Sequence, residues 1–440
     1  MHPSRAIRSA RSELLAGKRV VIGVSGSIAA IEIPRVAREL IRHGAEVRVV
    51  MSAEATRILT PEAVEFATGH PPITALTGAV EHVTEMAPGP ERADLLLLAP
   101  ATANTLSKVA HGIDDTPVTS FASVALGGGV PVLAAPAMHA DMARNPAVVE
   151  SLERLVRFGV GIIAPRAEEG EEKIPTPEEV AAEVLHRLAS GPWYGRRLLI
   201  IGGASREKID DVRSVTNESS GETAVALARQ AYYRGAEVHL WLGASEHAAP
   251  RFVRLARWRS VEELLRLVRG SPGLPAPLDS VWVPAALSDF TVDAAPGKIE
   301  SRRGSGLTLE LRAAPKVLPE LRSRAPPPTI LVAFKLASGA TDRALLGRAR
   351  DSRAESGADW VVANDATNMG SAEGGWWLVP PRGEARRIVG RKEPAAGELL
   401  DAVGSALGRG APREGRGVDP ERPGPTPRRS RGPSNPPRRR

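Results

Sequence analysis

Lysine is rare in this chain, supplying only eight of its 58 basic residues. Three of the eight, Lys298, Lys316 and Lys335, fall within 38 residues. Lysine is a compact point charge where arginine is a planar fork. Beside a transferring phosphoryl group it neutralises the charge that develops there, so the cluster suits a triphosphate. Small polar residues suited to phosphate recur elsewhere. Ser25-Gly26-Ser27 follows a short apolar run, and Asn217, Ser219, Ser220 and Gly221 precede a stretch with helical periodicity. Unpaired N–H groups and the helix dipole attract an anion at such a point. Thr102 and Asn104, in PATANTLSK at 100–108, and Met138-His139, in PAMH, each follow another apolar run. The carboxyl ends of strands are where α/β sheets bind ligands.

The elements that must position these residues are legible in outline. Residues 20–24 form an apolar run bounded by small residues. Residues 28–42 repeat apolar side chains at helical spacing (Ile33, Val36, Ala37, Leu40, Ile41), Gly44 stops the helix, and 47–51 is a second run. The layout returns at 197–242, with a strand at 198–201, the turn Gly202-Gly203-Ala204, a helix at 222–234, Gly235 and a strand at 237–242. Even the helix exits correspond, HGAEVRVV against RGAEVHLW. Strands are expected at 20–24, 47–51, 95–99, 132–135 and 161–164 in the first half, and near 198–201, 238–242, 280–283, 329–333 and 360–362 in the second. Their alternation with helical stretches implies an α/β fold of two doubly wound, mainly parallel-sheet, Rossmann-like domains. LLLLA at 95–99 has the uniform apolarity of a central parallel strand. Domain boundaries are expected at 1–191 and 195–408, with a loop at 270–277 and a short amphipathic helix over 1–18. The Pro/Arg-rich segment 409–440 lacks the apolar residues to fold and is expected to be disordered.

At 440 residues each half can bury a full core. No apolar run reaches the roughly 18 residues of a membrane span, and no signal-peptide pattern opens the chain. The absence of cysteine excludes disulfides and a cysteine nucleophile. A cytoplasmic enzyme is the expectation. The net charge of +7 belongs to residues 409–440, with 10 arginines against 3 acidic residues. Without them 48 basic residues balance 48 acidic ones. That tail also lacks the aromatics of a nucleic-acid stacking surface, which disfavours a protein that works by binding nucleic acid. The first turn lacks G-x-G-x-x-G, which disfavours a generic NAD dehydrogenase.

The turn SGSIAA, the loop PATAN and the motif PAMH, in this order and spacing, resemble the flavin-binding cysteine decarboxylases. The resemblance implies FMN, contacted by Ser25, Gly26, Ser27, Ile28, Ser52, Thr102 and Asn104. It implies His82, in EHVTEM before the central strand, as catalytic base, and Met138 and His139 at the substrate. It implies active sites between the subunits of a trimer. In that family the flavin oxidises the substrate's cysteinyl thiol, carbon dioxide leaves, and the reduced flavin returns the hydride. Two departures stand out. His139 replaces the family's usual Asn, and the segment 166–180 (RAEEGEEKIPTPEEV) lacks the cysteine that donates a proton in bacterial members. The chain is similar in both respects to archaeal members. Glu169, Lys173 or water are the candidate donors.

The segment 202–230 (GGASREKIDDVRSVTNESSGETAVALARQ) resembles the phosphopantothenate–cysteine ligases. The likeness continues through PAALSDFTVDAAPGKIES, APKVLPEL, VAFKLA and VANDATN. It implies Asn217 and Lys298 as catalytic residues and Asp289, Lys298, Pro315, Lys316 and Phe334 at the nucleotide. It implies CTP and Mg²⁺ with unassigned metal ligands, a dimeric ligase domain, and small-molecule substrates: 4'-phosphopantothenate, L-cysteine and CTP. Gly221–Ala224 reads Gly-Glu-Thr-Ala where the family has Gly-Lys-Met-Gly, which removes a cation near the phosphate. Together the halves would perform two consecutive steps of coenzyme A biosynthesis, ligation and then decarboxylation. The alternative keeps the ligase beside a flavin domain of altered or lost activity.

Overall fold

A computed structural model describes residues 2–168, 171–270, 273–275, 277–300, 306–366 and 373–407. The tail and parts of the 270–277 loop and of VANDATN lie outside the described residues.

The first sheet has five parallel strands: β1 (Arg19–Val24), β2 (Glu46–Met51), β3 (Leu95–Ala101), β4 (Val132–Pro136) and β5 (Gly161–Ile162). Their spatial order is β2-β1-β3-β4-β5, the flavodoxin-like doubly wound arrangement with its switch point between β1 and β3. An antiparallel hairpin follows, β6 (Arg166–Glu168) and β7 (Glu171–Lys173). Strands β8 (Arg197–Gly202), β11 (Glu237–Leu242), β12 (Arg254–Arg257), β13 (Ser280–Val283), β16 (Ile330–Ala337) and β17 (Trp360–Asp365) form the parallel part of a second sheet. The antiparallel strands β18 (Glu373–Val379) and β19 (Arg386–Arg391) complete it, in the order β12-β11-β8-β13-β16-β17-β18-β19. Two small ribbons lie at its rim: β9 (Arg206–Lys208) with β10 (Ser214–Thr216), and β14 (Phe290–Thr291) with β15 (Arg312–Ala313).

The internal repeat seen in the sequence is a repeat of contacts. At the amino edge of the first sheet, Lys18 Nζ donates to Asp94 Oδ1 (2.9 Å) and Arg19 N to Asp94 Oδ2 (2.8 Å). At the same edge of the second, Arg196 donates to Asp279 Oδ1 (2.8 Å) and Arg197 N to Asp279 Oδ2 (2.9 Å). Arg19 pairs with Glu46 across β1 and β2, as Arg197 pairs with Glu237 across β8 and β11. Gly44 and Gly235, which end the two first helices, both have positive φ, at 102° and 82°. A Cβ at Gly44 would come within 2.9 Å of Ala16 N, and one at Gly235 within 2.8 Å of Tyr194. Only glycine meets both demands.

Buried serines repeat at the carboxyl edges. Ser25 Oγ, at the end of β1, donates to Pro100 O at 2.6 Å and accepts from Thr102 N at 3.0 Å. Ser205, just beyond β8, donates its N–H to Ala286 O (3.1 Å), and its Oγ accepts from Ser288 N (2.9 Å). In each domain a serine thus spans from the first strand to the loop after the neighbouring central strand.

Three expectations need correction. The helix expected over 1–18 is confined to Pro3–Ala6. Beyond it Ser9 takes φ 58°, and the N–H groups of Ser9 and Arg11 donate to Ile41 O and Arg42 O. These amides find tertiary acceptors, so a helix offers them nothing more. The helix expected from Ile28 opens as a 3₁₀ segment, Ile28–Glu32, and becomes α-helical only at Ile33–Arg42, with Pro34 in its first turn. The antiparallel β18 and β19 were not anticipated: Gly374-Gly375 and Arg386-Arg387 interrupt the apolar pattern that marks a strand.

The expected boundary at Gly191-Pro192 is a turn, and the next residue anchors it. Trp193 is 1% exposed. Its Nε1 donates to Leu400 O (2.8 Å), and its ring meets Trp282 edge-on at 6.4 Å. The domains pack through the helices Pro177–Leu188 and Glu222–Tyr233. His186 stacks on Tyr232 there (4.1 Å), and Tyr232 Oη donates to Glu183. The core around β1 and β2 continues across this seam into that around β8 and β11. Trp193→Ala should lower the unfolding free energy by about 3–5 kcal/mol, the cost of a large core cavity. Trp193→Phe, which loses chiefly the hydrogen bond to a buried carbonyl, should cost about 1–3 kcal/mol. Urea denaturation of the two variants reads the difference.

Candidate active sites

At the carboxyl edge of the first sheet the strands β2, β1, β3 and β4 deliver four chain reversals side by side. Ser27 Oγ accepts Ala29 N, opening the 3₁₀ segment. Ser52 Oγ accepts Ala55 N and Thr102 Oγ1 accepts Thr105 N, capping the helices Ala53–Thr56 and Ala103–His111. His139 Nδ1 accepts Asp141 N (3.2 Å), capping Ala140–Ala143. Neighbouring turns are cross-tied, with Ser52 N donating to Val24 O and Ala137 N to Ala101 O. Helix starts gathered at one edge direct backbone N–H groups toward it.

The sequence-predicted flavin contacts divide on burial. Ser25 and Ser52 are buried and spend their hydroxyls on the frame. Gly26 is a close-packing position, where a Cβ would lie 2.4 Å from that of Glu54. Ser27 and Thr102 are half-buried with their hydroxyls capping the next turn, while Ile28 and Asn104 are exposed and the Asn104 amide makes no hydrogen bond among the described residues. An exposed amide beside clustered helix starts fits a phosphate-bearing heteroaromatic ring such as FMN.

His82 lies apart from this row, on the short helix Glu81–Met86. That helix packs against Pro117–Gly128 through Met86, in a shared cluster with Phe121 and Ala125. Val80, which starts the turn, has φ 47°, a strained conformation for a β-branched residue. Glu81 is held by the N–H and hydroxyl of Thr77. These bonds, with the neighbouring His82, keep its carboxyl below the usual range. His82 Nδ1 is buried and has no hydrogen-bond partner. Buried ring nitrogens normally find one, so an unpaired one marks a group available to a ligand.

Of the substrate pair, Met138 packs partly into the core, while His139 is exposed. With Nδ1 accepting the cap N–H, neutral His139 carries its proton on Nε2. Of the candidate donors, Lys173 ends the hairpin, paired in register with Arg166, and Glu169 lies outside the described residues.

The second site forms where the ends of β8 and β13 are clasped together. Asn217 is exposed on the loop after β10, and its Nδ2 donates to Leu287 O at 3.0 Å. Lys298 is exposed in a loop that folds back onto residues 209–213. Asp211 N donates to Gly297 O and Gly297 N to Asp211 Oδ2 (both 3.1 Å), and Ala295 N donates to Ile209 O. Sequence reasoning missed the residue at the centre, Asp210. Its buried carboxylate accepts Val212 N (2.8 Å), Arg213 N (2.6 Å), Ile299 N (3.1 Å) and the Arg213 guanidinium (2.6 Å). Burial works to raise its pKa, but the three N–H groups and Arg213 outweigh it and hold the carboxyl at about 2. Arg213 also donates to Ile299 O. The available signal was Asp-x-x-Arg, whose spacing lets one side chain reach the other.

Asp289 and Lys316 form an exposed ion pair (2.7 Å). The β14–β15 ribbon brings them together, with Ala314 N donating to Asp289 O. Pro315 is exposed next to Lys316. Phe334 is half-buried on β16 beside Trp282, with ring centroids 6.5 Å apart. Lys298 and Lys335 make no hydrogen bond or ion pair among the described residues, whereas Lys316 is engaged.

The segment NESSG is not a conventional cap. Gly221, at φ 75°, is the N-cap of Glu222–Tyr233, with no side-chain cap bond. A Cβ on it would come 2.4 Å from Ser245 Oγ, and one on Gly202 2.0 Å from that of Ala224. Ser220 Oγ accepts the first of the helical amides, Glu222 N, at 3.4 Å. The cation missing from Gly-Glu-Thr-Ala is supplied from elsewhere: Lys392 Nζ, nearly buried, lies 2.5 Å from Glu222 at this helix start. No group of three or more His, Cys, Asp or Glu that could hold a metal occurs among the described residues. A Mg²⁺ that arrives on substrate phosphates needs few protein ligands.

Two family models match the chain: Flavoprotein over residues 8–189, and the DNA/pantothenate metabolism flavoprotein C-terminal domain over 193–406. The coenzyme A biosynthesis bifunctional protein CoaBC of Thermococcus kodakarensis is 43% identical over 375 residues, 85% of this chain and 91% of that protein. The protein of the same name from Methanocaldococcus jannaschii is 34% identical, over 83% of this chain and 88% of its own length. That of Mycobacterium bovis is 33% identical, over 88% and 96%. With relatives of this identity covered along most of their length, the chain belongs to the family of coenzyme A biosynthesis bifunctional proteins.

Proposed function

We propose that residues 1–191 are an FMN-dependent phosphopantothenoylcysteine decarboxylase and residues 195–408 a CTP- and Mg²⁺-dependent phosphopantothenate–cysteine ligase, acting in sequence. The chain is a bifunctional lyase and ligase of coenzyme A synthesis. The observation that carries the division of labour is that each half owns a complete doubly wound sheet with its own crevice.

In the ligase half, the carboxylate of 4'-phosphopantothenate attacks the α-phosphate of CTP. The bond to the β-phosphate breaks and pyrophosphate leaves. The amine of cysteine then attacks the acyl carbon, and CMP departs as the amide forms. Asn217, with Nδ2 held on Leu287 O, presents its amide to the activated carbonyl. Lys298 neutralises charge at the α-phosphate. The helix start after Gly221 suits a substrate phosphate. Asp289, Pro315, Lys316 and Phe334 line the nucleotide side.

In the decarboxylase half, Ser27, Ile28, Thr102 and Asn104 would hold FMN, with Ser25, Gly26 and Ser52 setting the turns that carry them. The flavin supplies a reversible two-electron oxidation of the substrate thiol. His82 takes and returns the thiol proton, and its unpaired Nδ1 supports that role. His139, through Nε2–H, holds the substrate carboxylate until carbon dioxide leaves, the task of the family's Asn. Ile28 and Ile31, 73% and 55% exposed beside the flavin turn, support burial against another subunit of a trimer.

His82→Asn should slow decarboxylation about 100- to 10,000-fold, the usual contribution of a positioned base. Phosphopantothenoylcysteine should then accumulate from phosphopantothenate, cysteine and CTP. Lys298→Gln should make no adduct yet decarboxylate supplied phosphopantothenoylcysteine at the wild-type rate. Mass spectrometry of the products reads both variants, and loss of both activities from either one contradicts the division.

Asp210→Asn keeps the size of the residue but weakens three bonds that shape residues 210–213 and the one from Ile299 N that ties the Lys298 loop to them. A small misplacement of reacting groups costs on the order of 100-fold, so ligase kcat should fall by about that factor while decarboxylation is untouched. Because the carboxyl is held near 2, its contribution persists above the usual carboxylate range. It is lost only as pH falls from about 4 toward 2. Urea denaturation followed by circular dichroism should therefore show Asp210→Asn less stable than wild type at neutral pH, with the difference closing as pH falls from about 4 toward 2.

A further inference from the structure

An electropositive site lies away from both crevices. A cavity of about 460 Å³ opens between the helix Ile33–Arg42 and the amino end of Pro177–Leu188. Four guanidinium groups line it, from Arg11, Arg35, Arg38 and Arg42, against the carboxylates of Glu39 and Glu178. Both carboxylates are already occupied. Glu39 takes Arg11 and Arg42, and Glu178 takes Arg229 from the second domain. Arg35 reaches only Glu32, at 3.6 Å and largely in solvent. Arg38 Nη1 is buried with no hydrogen-bond partner. Arg11, Arg35, Arg38, Arg42 and Arg229 thus face Glu32, Glu39 and Glu178 with two positive charges in excess, and Arg38 carries a buried donor with no partner among the described residues. The first turn of Pro177–Leu188 adds a positive dipole end to the same wall.

We propose that this cavity binds a small molecule bearing a diphosphate group. Guanidinium forks match phosphate oxygens with paired hydrogen bonds. An excess of two positive charges calls for at least two negative charges, and the volume exceeds what a single phosphate fills. Through Glu178 and Arg229 the site borders the seam between the domains. This inference does not depend on the assignment of the two activities.

The test is calorimetric titration of inorganic pyrophosphate into the full-length protein at low ionic strength, where such contacts are least screened. Pyrophosphate also suits the ligase crevice, so Lys316→Ala serves as the control there. Binding that Arg38→Ala and Arg35→Ala each weaken at least tenfold, and that persists in Lys316→Ala, supports the site. Arg35 is exposed, so its variant answers even where loss of the half-buried Arg38 disturbs folding. Wild-type protein that takes no pyrophosphate, or arginine variants that bind as wild type does, overturns it. Tighter binding of a nucleoside diphosphate than of pyrophosphate assigns the group to an esterified ligand. Equal binding assigns it to the free anion. Either result supports a diphosphate site.

Discussion

Both crevices depend on one buried hydroxyl each. In a doubly wound sheet the loops after the first strand and its central neighbour diverge to opposite faces, and the ligand lies where they part. Divergent loops must still be fixed relative to each other to tenths of an ångström if they are to hold a reacting molecule. Ser25 Oγ does this in the first domain, through Pro100 O and Thr102 N, and Ser205 in the second, its Oγ accepting Ser288 N while its backbone N–H donates to Ala286 O. Each side chain is small enough to be buried between the loops and donates or accepts for backbone groups otherwise unpaired there. The same logic governs the opposite edge, where Asp94 and Asp279 bind the start of each first strand. The two halves share a scaffold of contacts and differ in what they hang from it.

The decarboxylase half presents small neutral groups: hydroxyls, amides and helix starts. A flavin ring needs hydrogen bonds and its phosphate needs N–H groups. A carboxylate about to leave as neutral carbon dioxide is better held by a directed donor such as His139 Nε2–H than trapped by a fixed cation. The ligase half carries lysines, Lys298 and Lys316 on loops and Lys335 on β16. Lys298 and Lys335 make no ion pair among the described residues, and Lys316 pairs with Asp289. Transfer of a nucleotidyl group develops charge that lysines can follow. Glu222 at the start of the helix Glu222–Tyr233 adds a negative charge there, and Lys392 pairs with it and restores the local balance.

The sequence was most informative where short-range physics decides. The apolar runs at 20–24 and 95–99, the helix starts after Ser25 and Gly221, and the glycine stops at 44 and 235 follow from periodicity and from positive φ. Candidate site residues on those turns, and Lys298 in the lysine cluster, could be named from their types and order, and the family likeness added His82 and the catalytic role proposed for Lys298. What was not legible depends on distant partners. Ser25 and Ser52 have the composition of ligand contacts, yet the fold spends them on Pro100, Thr102 and Ala55. Asp210 looks like any loop carboxylate until the chain brings Ile299 to it, 89 residues on. Lys392 reaches Glu222 across 170 residues. The short amino-terminal helix failed for the same reason, since its backbone amides find acceptors at Ile41 and Arg42.

The central claim is that one chain holds two working sites that act in order. The most direct measurement incubates the wild-type protein with phosphopantothenate, cysteine, CTP and Mg²⁺ and follows product masses over time. The account expects a transient phosphopantothenoylcysteine that gives way to 4'-phosphopantetheine with release of carbon dioxide, although residues 166–180 hold no cysteine. Phosphopantothenoylcysteine that accumulates and stays would leave a ligase beside a flavin domain with other chemistry, and no adduct at all would contradict the account of the second half.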